Sequence, residues 1–174
     1  MSATAHHPVV IVGAGQAGLS VSWYLGRAGV DHLLVESKTP THAWADSRWD
    51  NFTLVTPNWH CRLPGYVYDG PDPDGFMTRD EVVTWLQGWL ATFTPPVREH
   101  TTVTRLTETG AHGFELTLNG PDGIESVTCE QIVVATGGYP LPVIPPYAGT
   151  LDPSVTQIHS CLLYTSDAAD DSLR

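Results

Sequence analysis

A short apolar run that breaks directly into glycines constrains this chain more than any other feature. Residues 9–12 are four β-forming apolar residues, and Gly13, Gly15 and Gly18 follow in the pattern GxGxxG. The pattern predicts a buried parallel strand, a tight turn and the first turn of a helix. There Gly13 permits the turn, Gly15 lets a pyrophosphate approach the backbone, and Gly18 lets the helix pack closely on the strand.

The residues that follow give this motif a consistent context. A helix is predicted over about residues 17–28, ending at Gly29, and a second strand over residues 31–36. This strand ends at Glu36, at the spacing where an acidic side chain binds both ribose hydroxyls of an adenosine and disfavours a 2′-phosphate. The alternative is an ordinary βαβ unit with a glycine-rich turn. Strand, spacing and acid together favour a dinucleotide site.

Length and charge limit the class of protein further. The 174 residues suffice for one domain with a core, and the formal charge of −11 argues against nucleic acid or an anionic membrane surface as partner. No apolar run approaches the length of a membrane span, and the N-terminus lacks the basic region of a signal peptide. We therefore expect a cytoplasmic protein. The sequence does not predict its oligomeric state.

The last stretch differs from the rest. Back-translation of residues 161–170 gives the nucleotide string of a transposase adapter used in sequencing libraries, so we expect residues 161–174 to be a non-native tail. Residues 1–160 would then hold the natural sequence, with Cys61 and Cys129 as its cysteines. These two are far apart, and the histidines show no HxH or HxxxH spacing, so neither a redox dithiol nor a metal site is predicted.

The middle of the chain divides into a long connection and a helix. Residues 37–75 are rich in proline and aromatic residues and predict a long loop without regular structure, which is typical of a functional segment. Its tryptophans at 44, 49 and 59 either cover a flat ligand or belong to the core, and the pattern leaves both open. Thr78 to Glu81 form a capping-box sequence before a helix with one apolar face, which Pro95 and Pro96 end.

Strand patterns dominate the remainder. Residues 101–108, 112–118 and 124–129 predict an antiparallel meander, because turn-forming residues separate them. Residues 131–134 then predict a third buried strand, which continues into Ala135, Thr136 and two glycines.

These elements together resemble the FAD domain of flavoproteins that bind two dinucleotides. Trp44, residues 48–57, residues 62–64 and the phrase 135–140 resemble in particular the flavin-containing monooxygenase superfamily and its YUCCA-like and CzcO-like members. The resemblance implies an α/β fold: an incomplete Rossmann-like FAD-binding domain of the ββα type, with a parallel sheet and an inserted antiparallel β-meander.

The resemblance also implies a set of cofactor-binding residues. The glycine motif would hold the pyrophosphate of FAD. Glu36 and Ser37 would hold the adenosine ribose, and the first strand of the meander would contact the adenine. Trp44 would lie towards the flavin, and the Ala-Thr-Gly segment would lie close to the cofactor. The candidates are Gly13, Ala14, Gly15, Gln16, Ala17, Gly18, Glu36, Ser37, Trp44, Val103, Ala135, Thr136 and Gly137.

The family chemistry is reduction of FAD by NAD(P)H and use of O₂ to oxygenate a small-molecule substrate. No side chain here is predicted to be catalytic. The second GxGxxG that the family uses for NADPH is absent, so the chain would be the truncated N-terminal part of such an oxidoreductase, inactive alone. Alternatives are an FAD-dependent amine oxidase or dehydrogenase, a disulfide reductase, and a non-catalytic dinucleotide-binding module. No Gly-Gly-Arg follows Glu36 and the cysteines are unpaired, which disfavours the first two.

Overall fold

The structure, a computed structural model, describes residues 4–49, 51–110, 113–138 and 143–157. The predicted tail over residues 161–174 and the predicted strand start at residue 112 lie outside the described residues. The strands are β1 Ala5–Val12, β2 His32–Val35, β3 Arg62–Leu63, β4 Tyr66–Val67, β5 Val97–Arg98, β6 Thr102–Glu108, β7 Phe114–Gly120 and β8 Gly123–Val134. The helices are α1 Gln16–Arg27, α2 His42–Asp46 and α3 Arg79–Leu90, with 3-10 turns at Asn58–His60 and Pro146–Thr150.

One six-stranded sheet organises the fold, in the order β5-β2-β1-β8-β7-β6. Strands β5, β2, β1 and β8 are parallel, whereas β8, β7 and β6 form antiparallel pairs. The predicted α/β fold, with a parallel sheet and an antiparallel meander, is therefore confirmed. Because the parallel strands share one direction, β1 and β2 both end at the edge that carries the glycine motif.

The last meander strand and the third parallel strand are one element, and the prediction of two separate strands was wrong. Strand β8 pairs with β7 as far as Cys129 and with β1 as far as Val134. Among the described strands, residues 130–134 of β8 have no partner on the side away from β1. Val134 is 66% exposed there.

The connection over residues 37–75 contains regular structure, so the prediction of a long loop without regular structure was wrong. It contains α2, a 3-10 turn and the hairpin of β3 and β4. The buried side chain of Asn58 organises it by donating to the carbonyl of Asp72 and accepting from the backbone N–H of Met77. Elements of two to five residues are too short to show a period in sequence, and β5 was missed for the same reason.

Two apolar cores lie on opposite faces of the parallel strands. Val9, Ile11 and Leu34 pack against α1 and α3, while Val10 and Val35 pack against the meander. The predicted capping box of α3 is present, with Thr78 as N-cap, and the buried residues of this helix lie on the predicted apolar face. The helices therefore cover one face of the parallel strands, and the meander packs on the other. Within the described ranges, no helix is long and apolar enough to cross a membrane.

Candidate dinucleotide-binding site

The three glycines of the motif have different surroundings. Gly13 has φ +103°, and a Cβ on it would lie 2.5 Å from the carbonyl oxygen of Ala135. A Cβ on Gly18 would lie 1.9 Å from the carbonyl oxygen of Gly13 and 3.3 Å from Cγ2 of Ile11, so this glycine lets α1 pack closely on the turn and on β1. A Cβ on Gly15 would meet nothing within 4 Å. Two glycines are thus required by the protein itself, and the third faces open space.

That open space lies at the N-terminus of α1. Gly15 is the N-cap, no side chain caps the helix, and its first turn holds no acidic residue. The first backbone N–H groups of a helix have no acceptor within the helix, and its dipole is positive at this end. The first intrahelical bond here runs from Leu19 to the carbonyl of Gly15. The arrangement has the geometry and charge of an anion-binding site.

The carboxylate of Glu36 lies directly beside this turn. Its Oε2 accepts the backbone N–H of Ala14 at 2.7 Å, and its Oε1 accepts the backbone N–H of Lys38 at 2.9 Å. The hydroxyl of Ser37 donates to Oε1 at 3.1 Å, and Nδ1 of His42 is 3.5 Å from the same oxygen. Glu36 is 5% exposed. A buried carboxylate is stable only with such donors.

The segment before α2 reaches the same turn from the other side. The backbone N–H of Thr41 donates to the carbonyl of Ala14 at 3.0 Å. Thr41 is buried and has φ +62°, which is unusual for a residue other than glycine. Sequence analysis identified neither Thr41 nor His42. No pattern marks a threonine that adopts a left-handed backbone conformation.

The residues after β8 form the opposite wall. The N–H of Ala135 donates to the carbonyl of Val12 at 2.8 Å, which extends the β1–β8 pairing to the start of the turn. Gly137 has φ +79°, and a Cβ on it would meet nothing within 4 Å. The segment 135–137 therefore runs beside Gly13, and the fold brings these candidates together with the glycine motif and Glu36.

Trp44 contributes to a neighbouring cavity. The cavity has a volume of about 200 Å³, and Gln16 at the start of α1 forms part of its wall. The other lining residues are Trp44, Leu54, Thr56, His60, Cys61, Arg62, Val82, Trp85 and Leu86. Trp44 also packs against the core that α1 and α3 cover. Trp49 is half-buried and Trp59 is 50% exposed, and neither lines this cavity.

Val103 is less directly placed. It lies in β6, pairs with Leu118, and packs against the core on the meander face. Its link to the turn is indirect, since the N–H of Thr101 donates to the carbonyl of Glu36 at 2.8 Å. Val103 therefore lies two residues along the chain from Thr101, whose backbone is hydrogen-bonded to the backbone of Glu36.

The two cysteines that the structure describes are poorly suited to thiol chemistry. Cys61 and Cys129 are both free, and burial raises the pKa of each thiol above its ordinary value. A raised pKa lowers the fraction of thiolate, the reactive form. Among the described residues, no group of three or more histidine, cysteine or acidic side chains is placed to hold a metal ion.

A parallel sheet whose first strand ends in this glycine turn, with a buried acid after the second strand, defines a dinucleotide-binding α/β protein. Comparison with known proteins narrows the class. The chain belongs to the pyridine nucleotide-disulphide oxidoreductase family, whose profile matches residues 10–166. The match thus includes six residues of the predicted tail.

Three similar proteins refine this assignment. The chain is 33% identical to an uncharacterized CzcO-like oxidoreductase of Geobacillus kaustophilus, over 87% of this chain and 42% of that protein. It is 29% identical to a probable indole-3-pyruvate monooxygenase, YUCCA3 of Arabidopsis thaliana, over 82% of this chain and 34% of that protein. A mutant flavin monooxygenase from Stenotrophomonas maltophilia superimposes with a TM-score of 0.79 at 25% identity, over 95% of this chain and 48% of that one.

These matches confirm the resemblance to the flavin-containing monooxygenase superfamily. The chain spans about two fifths of the length of the first curated relative and about one third of the second.

Proposed function

We propose that this chain is the FAD-binding portion of an NAD(P)H-dependent, monooxygenase-like flavoprotein. The observation that carries the proposal is the position of the buried carboxylate of Glu36. Its Oε2 accepts a hydrogen bond from the backbone N–H of Ala14 at 2.7 Å, beside the open space at Gly15. An acid and an anion-binding helix terminus at this spacing match the ribose and the diphosphate of one adenosine diphosphate group.

The proposal assigns each part of the cofactor to residues of the site. The N-terminus of α1 would hold the diphosphate, where Gly15 leaves room and Gly13 shapes the turn. Glu36 would hold the ribose hydroxyls, and its carboxylate would repel a 2′-phosphate, so this site favours FAD over NADP. Gln16 and Trp44, which line the neighbouring cavity, would contact the flavin end. Bound FAD supplies the electron-transfer and oxygen chemistry, and the protein binds it, orients it and excludes water.

Thiol chemistry is the strongest competing activity, since the family name includes disulphide oxidoreductases. Two raised thiol pKa values and the absence of a bond between the two described cysteines favour the monooxygenase type over a disulfide reductase.

The remaining functions belong to the longer parent. We propose that residues beyond this chain supply the NAD(P)H site and the pocket for a small-molecule substrate and O₂, so that this chain alone has no turnover. The boundary at residue 160, the non-native tail, the cytoplasmic location and the absence of nucleic-acid binding stay predictions.

A binding experiment with two flavins tests the proposal. The purified chain is dialysed against FAD and, separately, against FMN, which lacks adenosine diphosphate. We expect retention of FAD, displacement of FAD by ADP, and no retention of FMN. Glu36→Ala should abolish FAD retention, while Glu108→Ala, at an exposed acid at the end of β6, should not. Equal retention of both flavins, or binding of NADH in preference to FAD, would contradict the proposal.

A further inference from the structure

Glu36 makes contacts that binding of a ribose does not require. One carboxylate oxygen accepts the N–H of Ala14 from the glycine turn, and the other accepts the N–H of Lys38 from the exit of β2. The side chain therefore joins two backbone segments through bonds within the protein itself. Both bonds involve a charged acceptor, and such bonds are about twice as strong as neutral ones.

The second polar group of Ala14 is held as well. Its carbonyl accepts the N–H of Thr41 at 3.0 Å, and Ala14 is 0% exposed. A trans peptide is planar, so its N–H points opposite to its C=O. With the carbonyl of Ala14 directed at Thr41, the N–H of Gly15 in the same peptide is directed the opposite way. The hydrogen bonds of Ala14 to Glu36 and Thr41 thereby fix the direction of the N–H of Gly15.

Building on the proposed function, we propose that Glu36 is a positioning residue for the anion-binding turn, acting through Ala14, in addition to its contact with ribose. Glutamine cannot replace it. An amide has one acceptor oxygen and an NH₂ donor, so either Ala14 or Lys38 would lose its acceptor and face a second donor. An unpaired buried N–H is costly, and the turn would distort to relieve it.

The sign of the electrostatic effect makes the proposal testable. Glu36→Gln removes a negative charge next to the site for an anion. By charge alone this substitution strengthens diphosphate binding. If the substitution weakens binding of a nucleotide that has no ribose hydroxyls, the cause is the lost shape of the turn.

The experiment compares ADP with 2′,3′-dideoxy-ADP, which Glu36 cannot hold through ribose, on the natural chain, on Glu36→Gln and on Glu108→Gln. Glu108→Gln removes the same charge at an exposed site at the end of β6. We expect Glu36→Gln to raise the Kd for dideoxy-ADP roughly tenfold or more, the factor that a charge-assisted hydrogen bond contributes. Glu108→Gln should leave it unchanged.

Each other outcome is decisive. If Glu36→Gln weakens ADP but not dideoxy-ADP, Glu36 acts through ribose alone and the positioning role is refuted, while the proposed function stands. The same holds if the natural chain binds ADP and not dideoxy-ADP, because the turn then contributes nothing by itself. If the natural chain binds neither nucleotide, the proposed function itself fails.

A second measurement, amide hydrogen exchange, tests the proposal on the natural chain even if Glu36→Gln does not fold. In the natural chain without nucleotide, the amide hydrogen of Ala14 should exchange slowly with solvent, as a buried bonded N–H does. In Glu36→Gln, either this amide or that of Lys38 should exchange faster and shift in the amide spectrum. Fast exchange of Ala14 in the folded natural chain would overturn the proposal even if Glu36→Gln does not fold.

Discussion

Replacing Gly15 and Gly18 by alanine, one at a time, should separate nucleotide binding from stability. Both positions carry the same motif letter and lie three residues apart. Yet a Cβ on Gly15 meets nothing within 4 Å, whereas a Cβ on Gly18 would lie 1.9 Å from the carbonyl oxygen of Gly13. We therefore expect Gly15→Ala to remove binding from a stable protein and Gly18→Ala to destabilise the fold.

The magnitudes follow from these distances. Gly15 has φ −75°, which alanine adopts freely, and the lower entropy of the unfolded chain should stabilise Gly15→Ala by about 0.4–1 kcal/mol. Alanine is a poorer N-cap than glycine by a similar amount, so the net change should stay within about 1 kcal/mol. Real Cβ contacts are essentially never under 3.0 Å, so α1 must move by about 1.1 Å in Gly18→Ala. Overpacking of this kind costs roughly 1–3 kcal/mol, and more where backbone has to move.

Urea denaturation followed by circular dichroism measures stability, and FAD retention on dialysis measures binding. We expect the urea midpoint of unfolding of Gly15→Ala to be nearly that of the natural chain. The variant should nevertheless lose FAD, because the methyl group of alanine fills the space proposed for the diphosphate. Gly26→Ala is a matched control inside α1, since a Cβ there also meets nothing within 4 Å. The reasoning fails if Gly15→Ala retains FAD at the natural affinity, or if it destabilises the protein as strongly as Gly18→Ala does.

Three further outcomes test other parts of the structure. The hydroxyl of buried Ser22 donates to Nε2 of His32 at 2.8 Å, and Nδ1 of His32 lies 2.9 Å from a carbonyl, so Ser22→Ala should leave a buried acceptor unpaired and cost about 1–3 kcal/mol in urea denaturation. Thr78→Ala removes the N-cap of α3 and should cost about 1 kcal/mol. Hydrogen bonds from the backbone N–H and the hydroxyl of Thr78 lower the pKa of the Glu81 carboxyl below its ordinary value in the folded state. The stabilisation from these bonds is therefore present at neutral pH and lost as the pH falls through the folded-state pKa, so the penalty of Thr78→Ala should shrink there. The chain mixed with FAD should not accelerate NADPH oxidation above free FAD.

Each of these has a result that would contradict it. Unchanged stability of Ser22→Ala would mean that another group satisfies His32. A Thr78→Ala penalty that is constant from pH 7 to pH 3 would mean that the hydrogen bond from the Thr78 hydroxyl to the carboxylate of Glu81 contributes nothing to the cap. NADPH oxidation by the purified chain with bound flavin would refute the proposed division between this chain and its longer parent.

The parts of the fold that were predictable are those whose cause is local. The turn at Gly13 needs a positive φ, and the helix cap at Thr78 needs a hydroxyl, so the residue type predicts the local conformation at both positions. The position of Glu36 followed from a spacing that the βαβ unit dictates. What the sequence could not reveal is that Glu36 also binds Ala14, because nothing in residues 13–18 requires an external acceptor.

The elements that escaped prediction depend on distant residues. Strand β5 has two residues and exists because Leu34 and Val35 offer it a partner. Strand β8 continues past Cys129 because β1 pairs along it to Val134, although its pairing with β7 extends only to Cys129, opposite the first residue of β7. Thr41 adopts a left-handed conformation where its N–H reaches the carbonyl of Ala14. In each case tertiary contacts override a local preference.

The two ends of the candidate site draw their walls from different parts of the chain. The end that we propose for the diphosphate and ribose is built from β1, α1 and β2, consecutive in sequence, and hydrogen bonds among Glu36, Ala14 and Thr41, which lie within 30 residues of one another, fix its shape. The end that we propose for the flavin depends on the segment 135–137 and on the side of β8 that has no described partner over residues 130–134. We therefore expect ADP and FAD to bind this chain with similar affinity, since the flavin ring adds few contacts here. A much higher affinity for FAD than for ADP would contradict this expectation, because it would mean that this chain already makes most of the contacts to the flavin.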